Sequence, residues 1–152
     1  MIGAVIAVGA GCGDDDDEET LSVVATAKGT HIRTVDLGDQ GRSSGDLFVF
    51  DSPLLDSEEK EPVGTVYGTQ TTIAVAGTEV VQAMITYDLG DGDRITVGGI
   101  SEYPRGGNGL VVNREFERPI VGGTGQYAGA AGTLTSVRRP DNSYEHTFHI
   151  EN

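Results

Sequence analysis

The sequence predicts an all-β protein, an eight-stranded antiparallel β-barrel, on three observations. Val, Thr, Ile and Tyr carry most of the bulk, and these residues suit a pleated, half-buried surface. No run rich in Ala, Leu, Glu and Lys argues for a helix. Beyond Thr20 short β-like runs recur at even spacing, separated by Gly, Asp, Asn or Pro. A meander of about eight such strands closes most economically as a barrel, because closure leaves no unpaired edge. With 152 residues the chain suffices for one domain around one core.

The chain opens with Met1–Cys12, an apolar stretch ending in small residues and the single cysteine. It is shorter than the about 20 residues a bilayer span requires and reads as the end of a signal peptide. The small residues before Cys12 resemble a bacterial lipobox. That predicts lipidation of the Cys12 thiol and an extracytoplasmic, membrane-anchored location, with secretion as the alternative. Gly9 stands where the motif usually has Leu, no basic residue precedes the apolar run, and a buried first strand is the competing reading. Asp14–Glu19 is a block of six acids that repels itself and stays solvated. Residues 13–19 therefore read as a tether, and residues 20–152 as the barrel domain.

Strands are expected over Leu21–Ala27, His31–Leu37, Asp46–Phe50, Val63–Ile73, Glu79–Leu89, Arg94–Ile100, Gly109–Glu115, Gly132–Arg138 and Tyr144–Glu151. Gly and Asp in Leu89–Asp93 tolerate positive φ and predict a hairpin. Pro140-Asp141-Asn142 turns the chain into the last strand, and Pro53, lacking an N–H, is expected to end its own. Alternation then sorts the side chains by face. Val81, Ala83, Ile85, Tyr87 and Leu89 share one side. So do Tyr144, His146, Phe148 and Ile150, while Phe48 pairs with Phe50 and Val63 with Tyr67. These faces are expected to line an interior just wide enough for side chains or one small ligand. Phe50, Tyr67, Ile85, Tyr87, His146 and Phe148 are the expected ligand contacts. His146 and Tyr87 are the candidates for any chemistry: a neutral imidazole in an apolar cavity can exchange a proton near neutral pH. The plainer account is a hydrogen-bonded core histidine and a core-filling tyrosine.

Charge and motifs exclude several classes. A formal charge of −14 repels phosphate backbones, so no nucleic-acid partner is expected. One cysteine allows no internal disulfide, no Cys/His cluster suits zinc, and no metal or cofactor is expected. Gly123–Ala128 fits G-x-G-x-x-G/A, yet a Gly- and Thr-rich strand comes after it where a dinucleotide site needs a helix, so a tight corner is expected. Gly41–Gly45 fits G-x-S-x-G but lies in a polar loop rather than a strand-to-helix elbow. Asp88, Asp91 and Asp93 lack the spacing of a calcium loop and read as a solvated hairpin.

Several blocks resemble a known family. Gly45–Leu54 looks like the strand of dirigent proteins that ends in an Asp-Pro-Leu-type turn, and Val63–Gly68 is similar to the strand after it. Pro119–Gly132 is similar to the Val-Gly-Gly-Thr-Gly segment of dirigent proteins and allene oxide cyclases. Val35–Gly38 with Gly45-Asp46 resembles bacterial allene oxide cyclase-like members. The resemblance runs from about Thr30 to Ile150. It implies an eight-stranded barrel with an apolar cavity, often assembled as a homo-trimer. Plant relatives cyclise a fatty-acid epoxide or direct phenoxy-radical coupling. His31–Asp36 matches neither the Glu and Asn of the cyclases nor the His–Asp pair of dirigent proteins, so the resemblance carries fold rather than reaction. Three functions are therefore expected as alternatives: a barrel that binds a small hydrophobic molecule, a cofactor-free cyclase or isomerase, or a filled barrel acting through its outer face.

Overall fold

The computed structural model describes residues 18–106 and 109–151; Cys12 and most of the acidic block lie outside these. Nine strands succeed one another: β1 (Glu18–Ala25), β2 (His31–Val35), β3 (Leu47–Asp56), β4 (Pro62–Val75), β5 (Thr78–Asp88), β6 (Arg94–Pro104), β7 (Glu115–Thr124), β8 (Ala131–Arg138) and β9 (Tyr144–Glu151). Every pairing is antiparallel, in the order β1-β9-β8-β7-β6-β5-β4-β3, and β1 returns to pair with β3. That contact closes an eight-stranded barrel. The ninth strand, β2, covers the first half of β3 (Leu47–Asp51), while β1 covers the second half (Leu54–Asp56).

This shared pairing corrects one expectation. Pro53 does not end its strand; β3 runs through it to Asp56. The carbonyl of Pro53 accepts from Thr26 N–H on the side facing β1 and β2. Pro53 falls in the gap between these two partners, so its missing N–H breaks no ladder bond. A second correction concerns Gly109–Glu115, which is mostly loop: Asn113 takes a positive φ of 60°, and the strand begins only at Glu115. It then runs through Pro119 and the Gly-Gly segment to Thr124. Strand β1 starts at Glu18, two residues into the expected tether's acidic end.

Alternation sets the interior. Phe148, Leu134, Ile95, Leu54 and Ile150, all essentially unexposed, pack one end of the barrel with Tyr127. Each buried side chain of this size contributes about 1.5–3 kcal/mol, so this end is a solid floor. The other end carries the β4–β5 hairpin, the β6–β7 loop, the β8–β9 turn and the loop between β2 and β3. There the described residues leave the interior unfilled.

Candidate functional site

A cavity of about 560 Å³ occupies this open half of the barrel, and all eight barrel strands contribute to its wall. Ala25, Phe50, Val66, Val81 and Ile85 supply apolar surface, and the polar groups stand among them. A barrel filled solid does not describe this interior.

Strand β5 brings Tyr87 and Ile85 to the wall, and β9 brings His146 and Tyr144, because each pair lies two residues apart on an inward face. Tyr87 meets His146 across the barrel. Nδ1 of His146 lies 3.2 Å from the Tyr87 hydroxyl and 2.9 Å from Ser136 Oγ. Either hydroxyl can donate to an unprotonated Nδ1, leaving the ring proton on Nε2. Tyr87 also packs edge-on against Phe148, centroids 4.9 Å apart, and Tyr144 stacks parallel to His146 at 6.1 Å. Burial pushes the His146 pKa down to about 3, helped by the nearby Arg118 charge, and pushes the Tyr87 hydroxyl up. Both groups are therefore neutral at physiological pH. The neutral His146 ring offers hydrogen bonds there.

Of the expected contacts, the structure gathers Phe50, Ile85, Tyr87 and His146 around the cavity. Phe148 is fully buried behind Tyr87 and supports the wall from outside the space itself. Tyr67 points outward and is 53% exposed. The reason is a bulge: Leu54 pairs with Gly64 and Leu55 with Pro62, which leaves Val63 unpaired. The extra residue turns Val63 toward the core and shifts the parity of the rest of β4, so Val66 faces in and Tyr67 faces out.

Three arginines went unrecognised in the sequence. Arg118 of β7 is 4% exposed, and its Nη2 donates to Ser101 Oγ at 2.7 Å and the Tyr103 hydroxyl at 3.2 Å. The Phe116 ring covers its guanidinium at 4.6 Å. Arg138 at the rim donates to the Leu110 carbonyl and to Asn142. Arg42, from the loop after β2, lies over the Phe48 ring and reaches within 3.1 Å of Glu79, a fully buried carboxylate on β5. That contact is an ion pair by distance without hydrogen-bond alignment. The signal for Arg118 was the alternation Phe116, Arg118, Ile120 against Glu115, Glu117, Pro119, which places a cation on an apolar face.

The remaining motifs are structural. Asp46 knots the Gly41–Gly45 loop by accepting from Leu37 N–H and Ser43 N–H, bonds that hold its carboxyl below the usual range. The Ser43 hydroxyl is spent on the Leu37 carbonyl. Gly125–Tyr127 forms one 3₁₀ turn, with Asp93 accepting from Gln126 N–H. Asp88 accepts from Gly90 N–H and from Arg94. Among the described residues no cluster of three or more His, Cys, Asp or Glu is placed to hold a metal.

A family model described as Dirigent-like protein matches residues 16–151. No curated protein matches. Among solved structures, a pyocyanin demethylase superposes with a TM-score of 0.62 at 26% identity, covering 84% of this chain and 97% of that one. The Diels-Alderase AbmU from Streptomyces koyangensis gives 0.65 at 16% identity over 91% and 70%. The pterocarpan synthase dirigent protein GePTS1 gives 0.63 at 17% over 92% and 86%. At those identities the last two are alike in fold.

Proposed function

The chain belongs to the dirigent-like protein family, and from that premise we propose that its barrel binds a small, largely apolar organic molecule. The cavity carries this reading. Its volume of about 560 Å³ falls within the ~300–1,000 Å³ of ligand pockets, and such pockets combine apolar walls with a few placed polar groups. The similar structures named for action on pyocyanin or for a Diels–Alder reaction support an organic molecule of modest size as the occupant.

A second reading is a cofactor-free cyclase or isomerase. The Tyr87–His146–Ser136 chain beside the cavity favours it. Such an enzyme confines a reactive substrate to one conformer away from water and orients it with fixed hydrogen bonds. His146 then acts as a neutral hydrogen-bonding group.

The neutral dye N-phenyl-1-naphthylamine tests the binding reading. Its fluorescence should rise on addition of the protein. Ile85→Trp, which fills the cavity from β5, should weaken binding at least tenfold while melting remains cooperative. Undiminished binding to that variant would place the dye elsewhere and overturn the proposal. A product of altered retention or mass from the co-purified compound, formed more slowly by Tyr87→Phe, selects the enzymatic reading.

A further inference from the structure

The charged residues that line the cavity are Arg42, Arg118 and Arg138, and no carboxylate stands among them. The chain holds 24 acidic residues against 10 basic ones, so this wall inverts the composition of the molecule. Arg42 is matched by Glu79. Among the described residues Arg118 has no carboxylate partner and its Nε has no hydrogen-bond partner. Arg138 is likewise without a carboxylate among the described residues, and its Nε is also unbonded.

A guanidinium removed from water without a counter-charge costs several kcal/mol, and arginine cannot escape by losing its proton. The Phe116 face returns about 1–2 kcal/mol of this at most. Two neutral hydroxyls, Ser101 and Tyr103, accept from the cation but do not neutralise it. Neither hydroxyl has an acceptor for its own hydrogen among the described residues, so Tyr103 on the wall brings a spare O–H beside the positive charge. What the arrangement lacks is an anion.

We infer that the ligand carries an anionic oxygen group, a carboxylate, sulfonate or enolate, seated against Arg118 and Tyr103, with Arg138 at the rim. Its apolar body lies on Val81, Ile85 and Phe50. This inference rests on the cavity being the binding site and adds the charge of its occupant. Arg118 is retained at a cost in stability because the ligand supplies the missing charge.

Two dyes of one skeleton test it on the full chain. 1-Anilinonaphthalene-8-sulfonate carries a sulfonate, and N-phenyl-1-naphthylamine lacks it. The wild type should bind the sulfonate at least tenfold more tightly, with Ile85→Trp reducing binding of both dyes. Arg118→Met should abolish the preference, weakening the sulfonate at least tenfold more than the neutral dye, and melt at or above the wild-type temperature. A structural role for Arg118 would lower the melting temperature instead. If Arg118→Met does not fold, Arg118→Gln, which keeps a donor toward Ser101 without the charge, gives the same reading; the wild-type preference decides in either case. Equal affinity of the wild type for both dyes, or an undiminished preference in the uncharged variant, overturns the inference while the cavity stands. Binding of neither dye overturns both.

Discussion

At the scale of single residues, His146 ties the cavity to pH. Its imidazole stays neutral in the fold down to about pH 3, because burial disfavours the charged ring and Arg118 repels it, whereas the unfolded ring titrates near 6.5. Between those values the unfolded chain binds more protons, so stability is full above 6.5 and is lost as pH falls. The loss from this one group reaches about 2 kcal/mol by pH 5. His146→Gln keeps a polar partner for Ser136 and Tyr87 but cannot titrate. Its melting temperature, measured by circular dichroism, should therefore fall less steeply than the wild type's between pH 6.5 and 4; parallel curves would show that His146 does not titrate this way. Alternation alone made Ile85, Tyr87 and His146 legible as neighbours, because β5 and β9 are regular. It failed at Tyr67, where one bulged residue reversed the faces, and it passed over Arg118, which lay between two segments read as strands.

At the scale of elements, the strands with clean alternation and short polar turns were legible, β5, β8 and β9 nearly to their ends. Strand β7 was not. Arg118-Pro119 and the glycines after it argue locally against a strand, and only pairing with β8 overrides them. Conversely, Leu110-Val111-Val112 has strand-like composition but lies in the rim loop, with both valines exposed. Glycines mark where backbones crowd. At Gly132, where β8 begins against β9, φ is +116° and an added Cβ would meet the His149 carbonyl oxygen at 2.1 Å. The three nearest atoms are all backbone of β9, at His149 and Glu151, which leaves nothing flexible to yield. Gly132→Ala should cost about 2–4 kcal/mol, whereas Gly77→Ala, with nothing within 4 Å of its Cβ, should stay within about 0.5 kcal/mol. Urea unfolding of the two variants checks the contrast; equal midpoints would mean β8 can shift away from β9.

At the scale of the whole molecule, charge opposes the fold. Leaving out Asp14–Asp17, the described residues hold 20 acidic against 10 basic side chains, a net −10, and that charge on a sphere of about 18 Å radius stores on the order of 10 kcal/mol of self-repulsion in salt-free water. The expanded unfolded chain relieves part of it. Surface ion pairs such as Arg94–Asp88 and Lys60–Glu58 work in the opposite direction, but exposed pairs contribute at most about 1 kcal/mol each. Salt screens both, and the larger quantity decides the sign. The Debye length shrinks from about 30 Å at 0.01 M to about 8 Å at 0.15 M, less than half the molecule's radius. The melting temperature should therefore rise as sodium chloride is raised over that range, by scanning calorimetry at pH 7. A fall would mean that the ion pairs outweigh the net charge. Arg118, 4% exposed, is sheltered from this screening by the barrel wall, so the dye preference assigned to it should weaken less with salt than a contact on the acidic exterior would.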